Sequence, residues 1–223
     1  TNVTGISSLP EMEEVLSLLI EATPELSTVG LLYSEGDTNA EIQNRLLEAY
    51  MDEAGIAWKE YALPLSVDPE AAAAAEAAGT PLPTLESMTA LAATECSVLF
   101  LPADSALSDQ APAISRIALS LGRPLVAADK EAGQNALVCA YSNPYVQGYY
   151  AGELAVRILR DGYNPGDLQV LPADTGFHKL YTKSYADILG RTFPKSFTEY
   201  SEFFASYDMS SDIDREKEIE KLK

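Results

Sequence analysis

Short apolar runs of four to six residues alternate along this chain with longer stretches in which apolar positions recur at helical spacing. That alternation predicts a mostly parallel sheet flanked by helices, an α/β fold. Strands are expected at residues 28–33, 56–62, 97–101, 124–127 and 137–141.

The helix after Tyr33 has the clearest signals. Thr38 and Glu41 stand in capping-box spacing, Ile42, Leu46, Leu47, Tyr50, Met51 and Ala54 should line one face, and Gly55 should end it. A helix over residues 10–22 carries Val15, Leu16, Leu18, Leu19 and Ile20. Another is expected over residues 108–121, stopped by Gly122, and a fourth starts at Asn143-Pro144 and runs to Gly162. Residues 68–79 are alanine-rich and end in Gly79-Thr80-Pro81-Leu82-Pro83, which reads as a surface insertion. Residues 210–223 mix both charge signs with few apolar anchors, as a solvated tail does.

Composition narrows the function. The 223 residues carry 34 acidic and 15 basic side chains, a formal charge of -19, so a basic face for nucleic acid is excluded. Apolar runs such as 121–128 fall far short of the roughly 20 residues of a membrane helix. Cys96 and Cys139 lie in apolar runs and read as small buried thiols.

Catalytic machinery is sparse. His178 is the single histidine, which leaves no Ser-His-Asp or Cys-His set beyond that one surface residue. There is no zinc spacing, no phosphate-binding loop and no dinucleotide fingerprint, so no catalytic residue, metal ligand or cofactor is assigned. What remains is polar residues at the carboxyl ends of successive strands, where open α/β sheets bind ligands. They are Ser34, Thr38 and Asn39 after the first strand, Asp104 and Ser105 after the third, and Asp129 after the fourth. Amides at the start of the helix at Thr38 suit a carboxylate, and Asp104 or Asp129 suits an ammonium. Caps and turns use the same residue types, so the reading rests on three such loops sharing one edge. Tyr141, ending its strand before Ser142-Asn143-Pro144, offers aromatic surface there.

These residues sit in motifs that resemble the solute-binding proteins of ABC importers with the type I periplasmic-binding fold, in the branch associated with tryptophan and tyrosine uptake. The most specific match is Thr1-Asn2-Val3-Thr4-Gly5, like that family's crossover segment. Others follow in order: Val29-Gly30-Leu31-Leu32-Tyr33 with Asn39, Pro102-Ala103-Asp104, Ala127-Ala128-Asp129, residues 136–141, and Ile188-Leu189-Gly190-Arg191-Thr192-Phe193-Pro194.

The resemblance implies non-covalent capture of a small ligand, an amino acid, between two lobes and its delivery to an ABC permease, outside the cytoplasm. Membrane contact would run only through a lipid anchor outside these residues. It implies a second lobe over residues 1–142 with an insertion at about 64–83, then a helix and C-terminal elements at 143–200 that would pack with a first lobe not included here, then a charged tail at 201–223. The ligand contacts it carries over are Ser34, Asn39, Asp104 and Asp129, followed by Tyr141 and Asn143. Two other classes compete: a sensory domain of the same fold, and a small α/β enzyme using Asp104 or Asp129 as base, which lacks a nucleophile–base–orienter set.

Overall fold

The computed structural model describes residues 2–7, 9, 11–66, 68–141, 144–171 and 178–202. The side chains of Tyr141, Pro144, Tyr145, Val146 and His178, and everything at Ser142, Asn143 and 203–223, lie outside that description.

Helix α1 (Met12–Ala22) leads into strand β1 (Thr28–Tyr33), helix α2 (Thr38–Ala54) and strand β2 (Ala57–Ala62). Helices α3 (Pro69–Ala77) and α4 (Leu85–Glu95) precede β3 (Val98–Leu101). Then come α5 (Ser105–Ser108), α6 (Ala111–Ser120), β4 (Leu125–Ala127), α7 (Lys130–Gly133), β5 (Val138–Tyr141) and α8 (Pro144–Leu159). Strand β6 (His178–Tyr181), helix α9 (Lys183–Leu189) and strand β7 (Thr198–Glu199) complete the described chain.

The strands form one sheet in the order β2-β1-β3-β4-β5-β6-β7. The first five are parallel, β6 runs antiparallel to β5 in the register Tyr141↔His178, and β7 lies parallel to β6. All five expected strands are present, and both faces of β3 and β4 are buried, as continuous apolar runs require. Helices α1 and α2 pack together, as do α4 with α6 and α6 with α9. Right-handed crossovers put the first pair on one face and the others on the opposite face. The chain leaves β1 toward β2 and later returns past it to β3, so the strand order reverses between β1 and β3. The core includes Leu31, Leu32, Leu99, Phe100, Leu107 and Ile114, all fully buried. Gly30 lets the Leu99 and Cys96 side chains close over β1, since a Cβ there would come within 2.8 Å of a Leu99 methyl and force it to shift. Cys96 and Cys139 are free and buried.

Several expectations are corrected. The cap of α2 is Asp37, whose carboxyl accepts from the Ala40 amide, and Thr38 is the first helical residue. The buried face of α2 carries Ala40, Gln43, Asn44, Leu47 and Met51, while Ile42 and Leu46 are 40% and 44% exposed. Polar residues won that face because the strand-end loops offer them backbone partners. The helix expected over 108–121 is α6, which starts three residues later with Pro112 in its first turn, and a separate short helix α5 capped by Asp104 precedes it. Helix α4 opens on a capping box made by Thr84 and Ser87, and α3 buries no residue.

The return of the chain at residues 178–202 also differs from expectation. Instead of packing away from this sheet, β6 and β7 extend it beyond β5, because Leu180, Tyr185 and Phe197 are buried in the same core. His178 is the first residue of β6. Helix α8 is the element that stands apart: among the described residues the core stops at Ala140 and resumes at Leu180. Alongside α8, the two chain segments 4–7 and 169–171 run together, joined by a parallel bridge between Ile6 and Leu171 and by Thr4 Oγ1 donating to the Gln169 carbonyl at 3.1 Å.

Candidate functional site

The loops that follow β1, β3 and β4 meet at one rim of the sheet, at the point where strand order reverses. Two polar contacts lock the first two loops together. Asp104 is fully buried. Its Oδ2 accepts from the Ser34 amide at 3.0 Å and from Ser34 Oγ at 2.6 Å, and its Oδ1 accepts from the Ala106 and Leu107 amides, both at 3.0 Å. Four donors around one carboxyl are what full burial of such a group demands. Ser34 is itself buried, so these two residues set the shape of the rim.

The second contact comes from α2. Gln43, fully buried, donates Nε2 to the Ala103 carbonyl at 3.3 Å and accepts from the Ala103 amide through Oε1 at 3.0 Å. Asn39 Nδ2 donates to the same carbonyl at 3.0 Å. A side-chain amide has one donor end and one acceptor end, and here both grip the backbone of a single residue. Sequence reasoning missed Gln43. Its only signal was a polar residue one turn after Asn39, on the helix face that should have been apolar.

The β4 loop is built more loosely. Asp129 caps α7 by accepting from the Ala132 amide at 2.8 Å, and its Oδ2 lies 2.5 Å from Ser108 Oγ. It is half-buried, and burial pushes its carboxyl above the ordinary range, against the opposing hydrogen bonds from Ser108 and Ala132 and reinforced by Glu131. Ser108 also reaches back to the Asp104 carbonyl at 2.8 Å, linking the two aspartate loops.

Thr38, Asn39 and Ser105 are exposed at this rim, each in the first turn of its helix. Asp37 takes the Ala40 amide, and its carbonyl accepts from Glu41, which leaves the Thr38 and Asn39 amides at the tip of α2. Tyr141 ends β5 on the same side of the sheet, with only its backbone described, and Asn143 lies outside the described residues. The structure thus brings Ser34, Asn39, Asp104, Ser105 and Asp129 to one edge, with Ser34 and Asp104 spent on each other and on backbone. Among the described residues no group of three or more His, Cys, Asp or Glu side chains could hold a metal ion.

A separate groove of about 370 Å³ lies between α8 and residues 167–171, lined by Tyr150, Glu153, Leu154, Arg157, Asp167 and Leu171 among others. It does not touch the rim.

Comparison with known proteins gives the fold its relatives. The chain is 25% identical over 174 residues to a tyrosine-binding protein of Clostridioides difficile (strain R20291), covering 78% of this chain and 46% of that one. It superposes with a TM-score of 0.67 and 23% identity on a conserved domain protein from Vibrio cholerae, covering 87% of this chain and 60% of that chain. A structure described as the ABC domain in complex with L-Trp, from Streptococcus pneumonia, matches with a TM-score of 0.66 and 22% identity over 87% of this chain and 62% of that chain. The chain therefore spans about half the length of the curated relative and about three fifths of the solved ones. The sequence profile of one family matches residues 1–186, the greater part of the chain, and by that match the protein belongs to the ABC transporter substrate binding protein family.

Proposed function

We propose that this chain supplies one lobe of the solute-binding component of an ABC importer and that its ligand is an amino acid with an aromatic side chain. The observation that carries the reading is the rim at the β1–β3 reversal. There three polar loops converge in a chain that belongs to a substrate-binding family. A tyrosine-binding relative and an L-Trp-bound structural neighbour support the ligand class.

The roles divide by exposure. The Thr38 and Asn39 amides at the tip of α2 receive the ligand carboxylate, with Ser105 beside them. Asp129, rather than the fully engaged Asp104, receives the ammonium. Tyr141 and Asn143 supply contacts from the crossover after β5. Ser34 and Asp104 hold the rim in shape. Capture is non-covalent, with no chemical turnover, and the closed state is favoured because the ligand touches more of the protein there.

Residues 144–171 pack with the first lobe in this reading. Leu159 is 85% exposed, and Val156, Tyr163 and Val170 are exposed as well, an apolar surface that relatives longer than this chain would cover. The 4–7 and 169–171 segments are then crossovers between lobes. Delivery to a permease outside the cytoplasm, with a lipid anchor beyond these residues, completes the proposal. Among the described residues no helix is long and apolar enough to cross a membrane.

The test is a thermal-shift screen of the intact two-lobed protein against the twenty amino acids, followed by calorimetry. L-Tyrosine or L-tryptophan should raise the melting temperature, and at 100 times Kd the gain is about 2.7 kcal/mol. Silence from both aromatic amino acids, or mass-spectrometric detection of a converted product, sinks the reading.

A further inference from the structure

Helix α7 is a single turn, too short to hold its own direction, so whatever grips it decides where Asp129, its cap, points. The grip comes from the far end of the chain. Tyr200, just beyond β7, donates its hydroxyl to the carbonyl of Lys130, the residue next to Asp129, at 2.7 Å. Thr182, just beyond β6, donates its hydroxyl to the Gly133 carbonyl at 3.2 Å. Lys130 and Gly133 are the first and last residues of α7, so the short helix is held at both ends.

Both sides of the contact are shaped for it. Thr182 is the N-cap of α9, where a threonine hydroxyl ordinarily serves the amides of its own helix, yet it makes no such bond and turns to α7 instead. Gly133 is buried, and a Cβ there would come within 2.9 Å of the Cys139 Cβ and 3.2 Å of the Tyr200 ring. The last residue of α7 therefore lies pressed between β5 and Tyr200, and only glycine lets it approach that closely.

We propose that Tyr200 and Thr182 are positioning residues for ligand capture: by fixing both ends of α7 they keep Asp129 aimed at the ligand ammonium, which makes the returning segment 178–202 part of the binding machinery through Asp129. A loop already held in its bound shape loses less freedom when the ligand arrives, so a broken clamp is read as lost affinity. The ligand half of this inference rests on the amino-acid reading above, whereas the clamp on α7 concerns the ligand-free lobe alone.

The experiment is a double-mutant cycle on the L-tryptophan affinity of the intact two-lobed protein, measured by calorimetry with Tyr200→Phe, Asp129→Ala and the pair. Tyr200→Phe should weaken binding about three- to five-fold, the worth of one hydrogen bond, and should cost nothing further once the carboxyl it aims has been removed. Thr182→Val should behave in the same way, while Thr182→Ser, which keeps the hydroxyl, should bind as wild type does. An equal loss with and without the Asp129 carboxyl, or no loss in its presence, overturns the proposal, because a residue that only supports the fold lowers the melting temperature without coupling to Asp129.

Hydrogen exchange in the ligand-free protein reads the clamp by itself. The Ala132 amide, which donates to Asp129 Oδ1, should exchange several-fold faster in Tyr200→Phe and in Thr182→Val while the β3 amides hold their rates. Unchanged exchange at Ala132, or an equal rise across β3, overturns the clamp, and this measurement decides if Asp129→Ala binds too weakly for the cycle. A failure of both L-tryptophan and L-tyrosine to bind wild type overturns the amino-acid reading instead, while exchange at Ala132 still judges the clamp.

Discussion

Asp104 and Asp129 occupy equivalent places: each follows an alanine at the carboxyl end of a buried parallel strand and caps a four-residue helix. Their surroundings differ. The β3 loop surrounds Asp104 with four donors, buries it completely and ties it to Ser34 across the strand-order reversal. The β4 loop gives Asp129 the Ala132 amide at 2.8 Å, a weaker backbone contact from Glu131 and the Ser108 hydroxyl, and leaves it partly open to solvent. The same short motif therefore yields a fixed post in one loop and a responsive group in the next. What separates them is the number of donors the neighbouring chain brings, because a buried carboxyl without donors is costly.

Removing the post should be the most damaging change. Asp104→Ala strands the Ser34 amide and hydroxyl and the Ala106 and Leu107 amides in a closed environment. At about 1–3 kcal/mol for each donor left unsatisfied, and with partial relaxation, the loss should reach about 3–5 kcal/mol. Urea unfolding measures it. A loss below about 1 kcal/mol would erase the contrast with Asp129, for which a cap removal costs about 1 kcal/mol.

Gln43→Ala should come next. It frees the backbone N–H and C=O of Ala103, although Asn39 still donates to the carbonyl, so about 1–2 kcal/mol is expected in the same measurement. Gln43→Glu sharpens the point, because it keeps the acceptor for the Ala103 amide and loses the donor to the carbonyl.

Much of this was legible before any coordinates. Continuous apolar runs located the five parallel strands, and Asp, Ser and Asn after them located the rim. Three things were not legible, each for a physical reason. The polar buried face of α2 depends on partners 60 residues away, at Ala103, which no local period reports. Strand β6 is four residues long and contains His178 and Lys179, so its membership in the sheet is decided by β5 and by the burial of Leu180. The ranking of Asp104 against Asp129 reverses nothing in the motif, since it follows from burial that tertiary packing sets.

A separate carboxyl on the opposite side of β1 needs to be accounted for before Asp129 can be read from stability. Glu48 on α2 faces Glu60 of β2, and burial, followed by repulsion from Glu60 and a hydrogen bond shared with its carboxyl, pushes it up to about 7. A raised carboxyl supports the fold fully below its ordinary range, and that support is lost as pH rises through about 7. Wild type should therefore weaken as pH rises from about 4.5 to about 7, by on the order of 1 kcal/mol after solvent screening, and Glu48→Gln should flatten that slope.

In the Glu48→Gln background the smallest effect becomes readable. Asn is as good a cap as Asp, and its amide can donate to Ser108 while its oxygen keeps the Ala132 amide, so Asp129→Asn should cost almost nothing at acid pH. Asp129 is raised by burial, so its support for the fold is present below ~3.9 and is lost as pH climbs through its higher folded value. Asn cannot ionise and loses nothing over that window. The variant should thus gain on its parent steadily as pH rises from 4 toward neutrality, by less than the ~1 kcal/mol of a typical cap. Asp104→Asn should show the opposite character, a loss at every pH, because the amide nitrogen replaces one oxygen among four donors. If Asp129→Asn instead falls behind its parent on raising the pH, Asp129 is a second fixed post, and the contrast between the two loops is only one of exposure.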